Sequence, residues 1–255
     1  MRGFFSALSF LTVIPFPDSL KSRKQNGMFS GYPAAGLLIG CLLSLLFLAA
    51  EKLFPDALAA VTLVAGSIFL TGAIHLDGLA DCADAFYGRR SKEETLRILK
   101  DPRIGTMGGA AIGISLLARY AAISSLGASV VLFALPVLTA FSRTTVLAAL
   151  RFLPYARSKG GIIRRESSSS PGTIVLAASV IIVVGILMPI PTAVALLVLA
   201  GFWRLSWKRI QGCTGDILGA SIEIAEIVFL ATLAAVDHLG AAVGLFFPLA
   251  AAAGM

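Results

Sequence analysis

The chain has 255 residues, of which 57% are hydrophobic and only 14% charged, whereas a soluble domain carries about 25% charged residues. With a mean hydropathy of +0.89, this composition excludes a soluble globular domain and leaves room for several membrane spans of ~20 residues each. A net charge of +7 invites a nucleic-acid partner, which the placement of the charges argues against below; three scattered cysteines, Cys41, Cys82 and Cys213, indicate neither a disulfide framework nor a zinc motif.

Residues 3–17 are apolar but too short to span, and Pro15 and Pro17 stop them, so an interfacial or re-entrant helix is expected there. Nothing in this stretch reads as a cleavage site ahead of a soluble domain, and it is expected to be retained. Residues 18–28 are polar and basic. Apolar spans are then predicted at 33–50, 57–76, 105–125, 128–150, 172–188, 191–206, 217–236 and 239–253. The sixth and eighth are short. Pro189 and Pro191 mark either a tight turn or a bend in one longer helix, so seven spans is the alternative to eight. The expected fold is all-α: one polytopic membrane helix bundle over residues 1–255, with seven or eight transmembrane helices and an N-terminal interfacial helix.

Charge sets the orientation. Of the 21 basic residues, all but Lys52, Arg119 and Arg143 fall before the first span, between the second and third, after the fourth, or at and after the end of the sixth. In the eight-span arrangement these segments share one side of the membrane. The positive-inside rule makes that side the cytoplasm, and it accounts for the basic character without nucleic acid.

The stretch from Gly72 to Asp84 therefore ends at the cytoplasmic face. If it stays helical, Asp77, Asp81 and Asp84 stand at i, i+4 and i+7 on one face. Stacked carboxylates repel unless protons or a cation sit among them, and oxygen ligands suit a hard ion such as Mg²⁺. One charge at the bilayer centre costs about 2.5–3.5 kcal/mol, so three belong at the rim or in a wet cavity. The bland reading of the same residues is a solvated helix end. In the following loop, Glu93 and Arg97 are spaced for a short surface helix. Lys100 and Arg103 then precede Gly105, Thr106 and further glycines at the start of the third span. This is either an anion site at a helix start or a set of topology-setting positives and loop glycines.

A third segment, Gln211 to Glu226, again places glycines, Gly215 among them, ahead of acids. Asp216, Glu223 and Glu226 fall close to one helical face, and the two glutamates lie inside a span, where ionisable residues are functional candidates. Arg143 and Arg119 are their expected buried partners, and a purely structural ion pair is the competing reading. His75 lies about one turn from the aspartates and reads as an ordinary hydrogen-bonder. His238 is given no role, and Glu166–Ser170 reads as plain loop.

Taken in order, His75-Leu76-Asp77-Gly78-Leu79-Ala80-Asp81, then Lys100-Asp101-Pro102-Arg103-Ile104-Gly105-Thr106-Met107-Gly108, then Thr214-Gly215-Asp216-Ile217-Leu218-Gly219-Ala220 with Glu223 and Glu226, resemble the cobalamin synthase family, adenosylcobinamide-GDP ribazoletransferase. Phe10-Leu11-Thr12-Val13-Ile14-Pro15 and Gly31-Tyr32-Pro33 match it too. The resemblance covers about residues 4 to 235. Pro102 and Cys82 depart from it, where Ser and Thr are usual, and neither departure removes a charge. The resemblance implies a last assembly step of the cobalamin nucleotide loop: adenosylcobinamide-GDP and α-ribazole, or its 5′-phosphate, give adenosylcobalamin, or its 5′-phosphate, and GMP, with Mg²⁺.

On that reading Asp77, Asp81 and Asp84 hold the metal against the diphosphate. Asp216 completes the metal site or acts as base, so that Asp77, Asp81 and Asp216 form the catalytic set. Lys100, Arg103, Gly105, Thr106 and Gly215 hold the substrate. The site faces the cytoplasm of a bacterial or archaeal inner membrane, membrane lipid surrounds the chain, and no nucleic acid takes part. A homo-oligomer, or a complex with other cobalamin-assembly enzymes, stays open. Two alternatives compete. A CDP-alcohol phosphotransferase shares rim aspartates and Mg²⁺, but Asp81 interrupts its signature after Asp77-Gly78-Leu79-Ala80. A cation-coupled transporter would use the intramembrane Glu and Arg residues.

Overall fold

Apolar length and a few breakers determine the helices. The computed structural model describes residues 2–21, 28–156 and 171–243, with side chains to residue 240. Among these residues the chain forms α1 (Arg2–Leu11), α2 (Tyr32–Leu53), α3 (Asp56–Thr71), α4 (Ile74–Phe86), α5 (Lys92–Ile98), α6 (Thr106–Ser125), α7 (Ala128–Phe152), α8 (Pro171–Leu187), α9 (Pro189–Ile210) and α10 (Gly215–Val243). The expected all-α bundle is what forms. Leu45, Phe69, Ile114, Leu117 and Leu197 project outward, the kind of broad exposed apolar surface that a bilayer covers.

Three places decide how the spans compare with expectation. Among the described residues, five helical stretches are long and apolar enough to cross a membrane, or six if α3 and α4 count as one bent span. First, the predicted span 57–76 stops at Thr71. Gly72 and Ala73 both adopt left-handed backbone, with φ of 61° and 57°, and α4 leaves α3 at 90°. Glycine takes this conformation without steric cost; alanine does not. Second, Met188, at φ −140° and ψ 72°, breaks the chain between α8 and α9, so Pro189 follows a turn between two helices, one of the two expected arrangements, and not a bend in one longer helix; α8 has 17 residues. Third, α10 continues through Asp237 and His238 where a turn was expected. The predicted eighth span begins inside that helix, and from residue 244 it lies outside the described residues. So do Arg23, Lys24, Arg157, Lys159, Arg164, Arg165 and the Glu166–Ser170 stretch.

The most extensive helix pairing is α2 with α7, and small residues permit it. A Cβ on Gly36 would stand 2.9 Å from the Thr139 carbonyl carbon, and one on Gly40 would stand 2.5 Å from Pro136 Cα. The Gly36-xxx-Gly40 spacing is the small-residue pattern that lets membrane helices approach. Pro136, inside α7, cannot donate to the Leu132 carbonyl one turn earlier. The Ser44 hydroxyl of α2 donates to it instead, at 3.0 Å, as backbone in a membrane requires.

The interfacial helix α1 is shorter than its apolar stretch. Its buried residues Ala7, Leu8 and Leu11 face the bundle, and the Val13 N–H donates to the Leu70 carbonyl at 2.9 Å. The segment after α1 is thereby tied to the end of α3, just before the bend.

Candidate functional site

The 90° bend turns α4 across the bundle and lays it along the start of α10. Gly78 makes the approach possible, since a Cβ there would lie 2.8 Å from the Asp216 carbonyl oxygen. The turn ahead of α10 is fixed separately. Ala156 N–H donates to the Cys213 carbonyl at 2.9 Å, and Cys213 N–H donates to the Pro154 carbonyl at 2.8 Å. This staples the end of α7 to the α9–α10 connection. Cys213 is wholly buried there, and burial pushes its thiol up to about 12. Thr214 then donates its hydroxyl to Asp216 Oδ2 at 3.0 Å.

Asp77 and Gly78 of α4 and Gly215, Asp216, Leu218, Gly219 and Ile222 of α10 line one cavity of about 300 Å³. Phe10 and Leu11 of α1 close it on one side; Met28, Phe29 and Tyr32 at the start of α2, Val146 and Tyr155 at the end of α7, and Ile74 and His75 supply the other walls. Burial gives the cavity a direction. Asp77 and Gly215 are exposed, whereas Phe29, Tyr32 and His75 are buried. The carboxylates, Asp77 exposed and Asp216 half-buried, thus stand nearer the mouth than the buried rings of Phe29 and Tyr32, while Phe10 is exposed.

The three aspartates of α4 do different things. Asp77 lines the cavity. Asp81, half-buried one turn on, is not among the lining residues. Asp84 Oδ2 accepts from Gly105 N–H at 2.7 Å and its Oδ1 from Gly108 N–H at 2.9 Å. It caps the start of α6, where free N–H groups and the helix dipole favour an anion. At this helix start, where an anion site was one of two readings, Gly105 and Gly108 bind the protein's own Asp84 carboxylate. Among the described residues no group of three His, Cys, Asp or Glu side chains stands close enough to hold a metal ion, so the Asp77–Asp81–Asp84 cage expected from one-face spacing is not gathered. Two carboxylates that share a cavity still suit Mg²⁺, which usually takes one or two together with water and substrate phosphate.

The basic loop is partly engaged. Arg103 donates from Nε and Nη2 to the Asp101 carboxylate at 2.9 and 2.7 Å, which holds that carboxyl down at about 2. Lys100 is exposed, as are Gly105 and Thr106, and none of these, nor Arg103, lines the cavity. The short helix α5 forms as expected, capped by Ser91 accepting from Glu94 N–H at 3.2 Å. The Glu93–Arg97 spacing yields no ion pair among the described residues.

Deeper in the bundle the expected Glu–Arg partners meet. Arg119 Nη2 lies 2.6 Å from Glu223 and 2.8 Å from Glu226. Arg143 also pairs with Glu226, and Ser142 donates to Glu226 at 2.9 Å. Two cations thus meet two anions across α6, α7 and α10. Asp216 and the two glutamates share a helix but not a site: the first faces the cavity and the others face this network. His75 touches both. It lines the 300 Å³ cavity and also a cleft of about 20 Å³ beside Arg119 and Arg143. The sequence reading made His75 an ordinary hydrogen-bonder, although it lies two residues before Asp77. It also missed the aromatic walls, although Phe10 and Tyr32 stand inside matched motifs.

Fold and site together define a polytopic helical membrane protein in which carboxylates from two helices face one largely apolar cavity. The cobalamin-5-phosphate synthase family model matches residues 3–234, and the chain belongs to that family. It is an enzyme, a transferase of cobalamin biosynthesis. It is 36% identical to the adenosylcobinamide-GDP ribazoletransferase of Chlorobaculum parvum, covering 91% of this chain and 96% of that one. Proteins of the same name from Clostridium novyi (32% identical, covering 91% and 96%) and Escherichia coli (33%, covering 90% and 98%) are similarly close. No solved structure matches the chain.

Proposed function

We propose that this transferase joins adenosylcobinamide-GDP to α-ribazole, or its 5′-phosphate, and releases GMP, at the cytoplasmic face of a bacterial or archaeal inner membrane. The observation that carries the reading is the meeting of Asp77 and Asp216, from different helices, in the wall of one cavity. The cavity is built at the end of the bundle where the basic connections gather: Arg209 of α9 donates to the Phe86 carbonyl at 3.2 Å, and Lys92 to Gln211 at 3.1 Å.

In the proposed step the ribazole hydroxyl oxygen attacks the cobinamide-linked phosphorus. The bond from that phosphorus to the bridging oxygen breaks, and the oxygen leaves with GMP. The hydroxyl proton passes to Asp216, whose carboxylate is held by the Thr214 hydroxyl. Asp77 is the metal-side carboxylate, with Asp81 one turn behind it. Mg²⁺, when bound, neutralises charge on the diphosphate, which is most of what phosphoryl transfer asks of a protein. Of the two cations expected to steady a phosphate, Lys100 is exposed and has no ion pair among the described residues, whereas Arg103 is held by Asp101; Lys100 would act from outside the cavity wall. A carrier would need the intramembrane Glu and Arg residues free to exchange ions, and here they pair with one another.

The test is purified protein in detergent with both substrates and Mg²⁺, followed by product mass. Joined corrinoid and GMP in equal amounts support the reading. Release of CMP from CDP-alcohols, or ion flux in liposomes without a nucleotide product, would overturn it.

A further inference from the structure

The family resemblance names two substrates of very different size, and only the smaller fits the cavity whole, although the guanosine end of the larger is of similar size. A volume of about 300 Å³ lies at the bottom of the range for small-molecule pockets. It accommodates a two-ring aromatic base with a pentose and falls far short of a corrin macrocycle. The walls suit such a base. Phe29 and Tyr32 are tilted rings with centroids 5.2 Å apart, and Val146, Leu218 and Ile222 continue the apolar surface. Tilted and offset ring contacts are the favoured ones for an added aromatic group.

A second observation points to a ligand. His75 is only 4% exposed, lines this cavity, and its Nε2 has no hydrogen-bond partner among the described residues. Buried polar atoms are rarely left so, and a ring nitrogen or pentose hydroxyl in the cavity would supply the partner.

We infer that the cavity is the subsite of the acceptor riboside. Its aromatic base lies inward among Phe29, Tyr32, Val146 and His75, its pentose hydroxyl points outward to Asp77 and Asp216, and the corrinoid stays outside. This rests on the transfer reading given above and adds to it which substrate the cavity selects.

The test uses the full chain in detergent and measures α-ribazole binding by calorimetry without the corrinoid, and adenosylcobinamide-GDP binding without α-ribazole. Val146→Phe fills the cavity. Gly219→Ala is the milder variant, because its new Cβ meets only ordinary contacts, 3.4 Å from the Ile74 carbonyl oxygen and 3.5 Å from His75 Cα. Wild-type protein is expected to bind α-ribazole alone. Either variant that still folds should weaken that binding about tenfold, a loss of about 1.4 kcal/mol, and change corrinoid binding less than twofold. Unchanged α-ribazole binding in Gly219→Ala, or a loss confined to the corrinoid, overturns the subsite. The two readings fail separately: riboside binding without joined product sinks the transfer step and leaves the subsite, whereas normal product with riboside binding indifferent to these variants does the reverse.

Discussion

Replacing Glu226 by Gln tests whether the buried charge network holds the bundle or carries ions. Glu226 is 5% exposed and takes the Arg143 guanidinium, Arg119 at 2.8 Å and the Ser142 hydroxyl at 2.9 Å. The substitution keeps its size and removes one negative charge, leaving two buried guanidiniums against Glu223 alone. Removing one partner of a buried ion pair costs about 3–5 kcal/mol, because a charge is left uncompensated. At roughly 2–4 °C per kcal/mol for a chain of this size, the detergent melting midpoint should fall by ~6–20 °C. Adding Arg143→Met restores charge balance, and the double variant should recover more than half of the loss. Asp216 precedes Glu226 by ten residues on α10 and faces a different cavity, so turnover per folded molecule at low temperature should stay within about threefold of wild type. A midpoint within 2 °C of wild type would refute the stabilising role. A normal midpoint with abolished turnover would place Glu226 in the chemistry.

Other outcomes follow from single contacts. Asp84→Ala removes the cap on α6 and should cost about 0.5–2 kcal/mol, read by thermal melting, while the Mg²⁺ dependence of turnover stays unchanged; a shifted Mg²⁺ requirement would return Asp84 to the metal site. Ser44→Ala leaves the Leu132 carbonyl without its donor beside Pro136 and should cost about 1–3 kcal/mol, whereas Ser44→Thr, which keeps the hydroxyl, should recover part of it. Gly78→Val sets side-chain carbon against the Asp216 backbone, and turnover should collapse even where the protein still inserts and melts cooperatively. Lys100→Ala should raise the KM for the corrinoid substrate several-fold and Arg103→Ala much less, because Asp101 already engages Nε and Nη2 of Arg103.

Much of the bundle was legible because apolar length and charge asymmetry are strong signals. The predicted spans at 33–50, 105–125 and 128–150 lie within α2, α6 and α7 apart from one residue at the start of α6, and Arg119 and Arg143 found the glutamates they were matched with. The bend at Gly72-Ala73 was not legible. A single glycine in an apolar run is compatible with a continuous helix, and alanine, the best helix former, gives no hint of a left-handed residue beside it. The same limit governs the aspartates. Spacing placed Asp77, Asp81 and Asp84 on one face of one helix, but which of them faces a cavity depends on the partner helix. Gly105 and Gly108 claim Asp84 across 21 and 24 residues of sequence, a pairing no local pattern encodes. The aromatic walls come from three separate segments, around Phe10, Phe29–Tyr32 and Tyr155, and only folding brings them together.

The proposed transfer requires carboxylates from α4 and α10 to act together at one cavity. The most direct measurement is the Mg²⁺ titration of GMP release by Asp77→Asn and Asp216→Asn proteins whose melting matches wild type. Asp216→Asn should lose about 10²–10⁴-fold in turnover, the range for a general base, with half-saturating Mg²⁺ little changed. Asp77→Asn should instead require much more Mg²⁺, and chelation with EDTA should stop the wild-type enzyme until Mg²⁺ is restored. Wild-type turnover and Mg²⁺ response in either variant would contradict the account.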